Sequence, residues 1–243
     1  MHRQDCSEHL ASGHRGSHSR SITALPTTHR CSWAADRRAS VGVSASTIDN
    51  IVLKIEKLID DGSNIIILSD RNVSKKMAPI PVLLACSFVH QTMIKKKKRS
   101  KFGIIIESAE PREPHHFSML FGYGASAINP YLVNEIISYH HKIGHIKDIS
   151  VESAISNFNN AIAKGILKVM NKIGISTLNS YRGSQIFEAL GLKTNFINKY
   201  FKNTPTRIEG VGLYVLEKEI SQRIKFAFNS ESDFSSIKIG GEY

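Results

Sequence analysis

Residues 102–130 read FGIIIESAEPREPHHFSMLFGYGASAINP: two short apolar runs divided by a polar loop and a helical segment. Phe102–Ile106 has no polar alternation. A run of this kind predicts a strand covered on both faces, as in parallel sheets. His115–Phe121 predicts a short helix, and Pro114 suits its first turn. Gly122 and Gly124 predict a helix end and a tight turn. Ala125–Ile128 predicts the next strand, and Tyr131–His140 the next helix. Parallel strands need crossovers of this length, commonly helical.

The same alternation extends upstream. Thr47 is placed to cap a helix whose apolar stripe is Ile48, Ile51, Val52, Ile55, Leu58 and Ile59. Asp60-Asp61-Gly62 ends it. Asn64–Leu68 is another apolar run, and a helix follows Pro79-Ile80-Pro81 through Leu83, Leu84, Val89 and Ile94. Residues 46–140 therefore predict a βαβαβ unit with right-handed crossovers. Downstream, Ala154–Ile173 predicts one long helix ended by Gly174, and Ser184–Leu190 and Asn195–Phe201 two shorter ones. The expected class is α/β: a partial (β/α) barrel-like unit with parallel strands, then a mostly helical C-terminal part.

Residues 1–45 differ. They hold six arginines and no lysine, with five histidines and many serines. That composition buries little surface, so disorder is expected. The expected division is 1–45 unassigned, 46–217 folded and 218–243 a linker.

The chain has 243 residues, a hydrophobic share of 41% and a formal charge of +11. That length suits one sizeable domain. No run of about 18 apolar residues occurs, so no membrane partner is expected. No secretory signal is visible. Cys6, Cys31 and Cys86 form neither a CxxC pair nor an even-numbered framework, which favours a reducing compartment. The cationic cluster Lys95–Arg99 follows an apolar helix, where cations suit the C-terminus. No stacking aromatics flank it, so no nucleic acid is expected.

Polar residues at strand C-termini line sites in parallel α/β folds. Here these are Asp70 and Arg71 after the first run, Glu107 with Glu110, Arg112 and Glu113 after the second, and Asn129 after the third. They fit acid–base or anion chemistry, or pairing that fixes loops or a domain interface. The second is the more common use of charged strand ends. His115 and His116 point about 100° apart on a helix, poor geometry for one shared metal. His141 and His145 are four apart, but Gly144 interrupts them. The GxG of 122–124 leads into a strand, the reverse of a dinucleotide-binding loop. Cys86 lies on an apolar helix face.

Several strings together resemble the large subunit of glutamate synthase: NIIILSDR, APIPVLLACSFVH, GIIIESAEPREPHHFSMLFGYGASAINPYL, AKGILKVMNKIGISTLNSYRGSQIFEALGL and YFKNTPTRIEGVGL. They are similar to the later part of its central domain, cover about residues 48–217 and stand in the family's order. The tail ending IGGEY resembles the linker into the flavin domain. Asn72, Gln91-Thr92, Pro111 and Pro114 depart from the family's usual residues. The resemblance implies a parent enzyme that makes glutamate from glutamine and 2-oxoglutarate. In that enzyme an amidotransferase cysteine releases ammonia, which tunnels to an FMN barrel fed by an iron–sulfur cluster. It implies a cytoplasmic location, with the amidotransferase and FMN domains as partners. Residue 2 is His rather than that cysteine, and no catalytic, cofactor or metal residue carries over. The expectation is a scaffold fragment, inactive alone. Asp70, Arg71, Glu107, Arg112, Glu113 and Asn129 would then form a charged interface. Residues 1–45 would be sequence foreign to the family, joined at a gene break. The alternatives are a stand-alone α/β enzyme using Asp70, Glu107 and Arg112, and a basic module working through Lys95–Arg99.

Overall fold

The computed structural model describes residues 28–32, 35–36, 45–75 and 77–228. In chain order the elements are β1 (Thr28–Ser32), β2 (Ala35–Asp36), α1 (Ala45–Asp60), β3 (Ile65–Ser69), β4 (Met77–Ala78), α2 (Val82–Lys95) and β5 (Gly103–Glu107). Then come α3 (Pro114–Gly122), β6 (Ala127–Asn129), α4 (Tyr131–Lys142), α5 (Val151–Lys172) and α6 (Leu178–Tyr181). Last are β7 (Ala189–Leu192), α7 (Thr194–Tyr200), β8 (Thr206–Val211) and α8 (Leu213–Ala227).

The main sheet is parallel, in the order β1-β3-β5-β6. Each strand adds to the same edge as its predecessor. That is the winding of a barrel wall rather than of a doubly wound sheet. β2 and β4 form a small antiparallel pair, and β7 and β8 a parallel one.

Burial alternates along the central strands. Ile66, Leu68, Ile104 and Ile106 are fully buried against the stripe of α1 and the apolar face of α2. Ile65, Ile67 and Ile105, on the other face, are only half-buried. The expectation of strands covered on both faces therefore holds for one face. An apolar run reports the chemistry of both faces, not what covers each.

A second cluster joins α3 to α5 through Phe117, Ile162, Ile166, Met170 and Tyr181. Three buried hydroxyl bonds tie later parts of the chain to the sheet unit. Ser87 Oγ donates to the Tyr200 carbonyl at 2.7 Å, Tyr181 Oη to the Ser118 carbonyl at 2.9 Å, and the Tyr123 and Thr204 hydroxyls are hydrogen-bonded to each other at 2.7 Å. By contrast, α4 has no buried residue, and Ile136 and Tyr139 are exposed on it.

Four expectations need correction. Thr28–Ser32, within the stretch expected to be unassigned and disordered, pairs residue for residue with Ile65–Ser69. Its composition is polar, but a parallel edge strand needs backbone partners more than apolar side chains. Helix α1 begins at Ala45, so Thr47 lies inside it rather than capping it. Residues 184–190 are not helical: Gly183 and Gln185 have φ of +79° and +52°, which breaks the turn, and Ala189 opens β7. Helix α8 crosses the expected linker boundary at 217, because Ile220 and Ile224 are buried in the main core. Residues 229–243, the rest of that linker, lie outside the described residues, as do most of 1–45.

The basic cluster is folded into the domain. Lys96 pairs with Glu56, and Lys98 reaches Glu56 at 3.0 Å and Asp60 at 2.8 Å. The Arg99 guanidinium donates to the Phe102 carbonyl at 2.7 Å, the Gly124 carbonyl at 2.8 Å and His90 Nδ1 at 2.8 Å. Gly124 has φ of +108°, and a Cβ there would stand 2.2 Å from His90 Nδ1. His90 must accept from Arg99, so it is neutral in the fold. Burial, then the Arg99 charge, then that of Arg182, push its pKa down to about 4.

Two predictions follow from this packing. A Cβ at Gly165 of α5 would stand 2.5 Å from Pro114 Cβ. Alanine favours helices over glycine by about 1 kcal/mol, but overpacking a close helix contact costs about 1–3 kcal/mol. Gly165→Ala therefore lowers stability in urea denaturation, and equal or greater stability refutes this contact. His90 in the unfolded chain titrates near 6.5. Between about 4 and that value the unfolded chain binds more protons, so stability rises with pH. The His90 contribution is complete above the unfolded value and is lost as pH falls towards the folded one. Melting curves from pH 4 to 7 should show a shallower loss for His90→Asn than for the unmodified chain.

Candidate functional site

The strand ends meet because of register. Ser69 lies opposite Glu107, and Glu107 opposite Asn129, at the C-terminal edge of β3, β5 and β6. Glu107 is 5% exposed, and both of its oxygens are engaged. Ser69 Oγ donates to Oε2 at 2.6 Å, and Arg71 Nε to Oε1 at 3.0 Å. Arg71 reaches on to Glu135 of α4 at 3.3 Å, with its guanidinium 4.0 Å from the centre of the Tyr131 ring.

Asp70 is 2% exposed. Its Oδ2 accepts from Ser108 Oγ at 2.6 Å and from the Ala109 N–H at 3.1 Å. The ladder continues past the strands, with the Asp70 N–H donating to the Glu107 carbonyl at 3.2 Å and the Ser108 N–H to the Asn129 carbonyl at 3.1 Å. Burial, and then Asp70, hold the Tyr131 phenol above its ordinary range. Arg71, Asn129, Tyr131, Asn134, Glu135 and Ser138 line a shallow cavity of about 390 Å³ at this edge.

The six expected residues therefore divide. Asp70, Arg71, Glu107 and Asn129 gather at the strand ends. Arg112 and Glu113 do not. The Arg112 N–H donates to His116 Nδ1 at 3.2 Å, and Glu113 lies 3.7 Å from His116 Nε2. Arg112 faces a separate cavity, beside α2 and α8. Sequence reasoning missed Ser69, Ser108, Tyr131 and Glu135 as members of the network. Two of them had a visible signal: a serine beside each strand-end acid, in Ser69-Asp70 and Glu107-Ser108.

Chemically the arrangement is closed. A general base or nucleophile must reach its substrate. Ser69 and Ser108 are 1% and 0% exposed, and each gives its proton to a carboxylate inside the fold. Among the described residues, no group of three His, Cys, Asp or Glu is placed to hold a metal ion. Cys86 is buried, and burial pushes its thiol up to about 12, far from a reactive thiolate. Among the described residues no helix is long and apolar enough to cross a membrane.

The class defined so far is a parallel α/β domain whose strand-end acids are bonded into its own loops. The family described as glutamate synthase central domain matches residues 8–193, and the chain belongs to that family. The glutamate synthase [NADPH] large chain of Bacillus subtilis (strain 168) is 42% identical over 197 residues, covering 81% of this chain and 13% of that protein. The glutamate synthase [NADH] of Schizosaccharomyces pombe is 45% identical over 168 residues, covering 69% of this chain and 8% of that protein. The ferredoxin-dependent glutamate synthase of Pyropia yezoensis is 36% identical over 214 residues, covering 81% and 14%. The chain thus spans a small part of each relative. The family match begins at residue 8, so the expected break to foreign sequence at residue 45 is corrected.

Removing the Glu107 carboxylate strands Ser69 and Arg71. Hydrogen bonds to charged groups contribute about 1.5–3 kcal/mol, so Glu107→Ala should lower unfolding free energy by at least that much. Arg71→Ala should cost less, because the guanidinium is part-exposed and salt-screened. The reverse order in denaturant titrations would show that Glu107 is not the anchor.

Proposed function

We propose that the chain serves as the structural part of a glutamate synthase that sets its amidotransferase and FMN domains in register, and that it is inactive alone. The observation that carries this is the closed network around Glu107. The acids at the strand ends, where a parallel α/β domain places its chemistry, are used to fix loops. The half-buried row Ile65, Ile67 and Ile105, with the apolar residues of α4, supports neighbours on two further faces.

The cofactors of the parent enzyme do not fit these residues. Cys6, Cys31 and Cys86 are widely spaced in the chain, and Cys86 is buried in the apolar core, so they offer no closely spaced set of thiolates for a cluster. Gly122 and Gly124 close α3 and lead into β6, so they offer no helix N-terminus to a flavin phosphate. Neither FMN nor an iron–sulfur cluster is therefore assigned to this chain. The basic-module alternative loses support, because Lys96, Lys98 and Arg99 are bonded within the domain. The stand-alone enzyme keeps only Arg112 free of the closed network.

A graft tests the proposal. Residues 8–193 replace the matching segment of the Bacillus subtilis large chain, in a strain that needs that protein to grow without glutamate. Growth without glutamate is expected of the graft. The isolated chain should bind no flavin and form no glutamate. Flavin absorbance or turnover by the isolated chain would overturn the proposal, as would a soluble graft that leaves the strain dependent on glutamate.

A further inference from the structure

A cavity of about 340 Å³ lies between the start of α2, the loop after β5, α3 and α8. That is within the range of small-molecule pockets, about 300–1,000 Å³. Its walls are apolar, formed by Val82, Leu83, Pro111, Met119 and Leu120. Its polar groups are Glu110, Arg112, His116 and Arg223. Arg112 comes from the loop and Arg223 from α8, two elements far apart in sequence. Neither guanidinium makes a hydrogen bond or ion pair among the described residues, unlike Arg71 and Arg99.

Glu110 is already engaged. Its Oε1 and Oε2 accept the Val82 N–H at 3.2 and 3.1 Å, so the side chain satisfies the first turn of α2, which has no cap of its own. Glu110 and the helix end thus form one wall, and the two arginines are left to meet a ligand. We propose that this cavity binds a carboxylate carrying an apolar group, with the carboxylate held by Arg112 and Arg223 and the apolar group against Leu83, Met119 and Leu120. A guanidinium presents a planar fork that matches a carboxylate. Two arginines beside one carboxylate leave one positive charge, which suits a monoanion. The apolar walls favour a hydrocarbon body over inorganic phosphate. The inference is independent of the scaffold role, since the proposed ligand contacts use none of the residues in the strand-end network.

The charges facing Glu110 are Asp70 behind it, Arg112 on the loop, His116 on α3 and Arg223 on α8. Burial raises the Glu110 carboxyl to about 7, opposed first by the Val82 N–H; Asp70 adds to the rise, and Arg223 and Arg112 oppose it. Solvent at the cavity mouth also reaches the side chain and opposes the rise. An ionised Glu110 competes with the ligand for the two arginines.

The test is titration of the full chain with 3-phenylpropionate, read by calorimetry at pH 8. Saturable binding is expected. Arg112→Ala and Arg223→Ala should each weaken it about tenfold or more, the loss of a charge-assisted contact, with unchanged melting temperatures. Glu110→Gln should tighten it several-fold, since the competing charge is gone. A variant confined to a structural role has no reason to tighten binding. Equal binding of 3-phenylpropanamide overturns the proposal, because the carboxylate is then unused. Equal binding of inorganic phosphate, or arginine variants that bind like the parent chain, overturns it too. A peptide ending in phenylalanine separates the sources of the carboxylate: a site for free acids excludes it, a site for chain termini accepts it, and either supports the proposal.

Discussion

The buried Glu107 carboxylate is the constraint on which the C-terminal edge of the sheet depends. A carboxylate at 5% exposure is costly unless every oxygen is met. Here a serine from the neighbouring strand meets one oxygen and an arginine from the following loop meets the other. Those bonds fix the register of β3 against β5 and aim the Arg71 guanidinium at α4. Asp70, one residue on, bonds across to Ser108 and Ala109 through Oδ2 alone. Two acids on adjacent strand ends each hold the other strand's loop. The edge is thereby cross-linked, and most of its acid oxygens are bonded within it.

The same economy recurs in the polar surface around α2. The lysines and arginine after it are tied to α1 and to backbone carbonyls. Glu110 reaches from the β5 loop to the first turn of the helix. The start of α2 is therefore satisfied by a group remote in sequence, while its end is closed by the N–H groups of Lys96, Lys97 and Lys98 that follow it. This makes α2 the element that joins sheet, loop and C-terminal part, and the Ser87 bond to Tyr200 adds to it.

Much of the core was legible in the sequence. The stripe of α1 and the isoleucine runs of β3 and β5 fall where periodicity places them, because burial of apolar area dominates those segments. The cap at Gly174 was legible too, with φ of +74°. Strand β1 was not, because a polar edge strand is held by backbone pairing that leaves no pattern in side chains. Strands β7 and β8 were not, because the break at residues 183–185 includes a left-handed glutamine that no propensity favours. At the strand ends the residue types were legible but their partners were not. Spacing could place Asp70, Glu107 and Arg112 on neighbouring loops. Only the geometry separates Arg112 from the others and reveals two serines as donors.

The strand order β1-β3-β5-β6 has a consequence for synthesis. Every strand of the main sheet docks beside the one made just before it, and the helix between them covers the joint. The chain can thus be built in the order in which it leaves the ribosome, with one growing edge and no strand that must wait for a later one to be inserted. Until β3 emerges, β1 has nothing to pair with. From then on each completed strand and helix offers a finished template to the next. Such vectorial assembly lets the sheet form before later segments of the chain exist to compete for its edge.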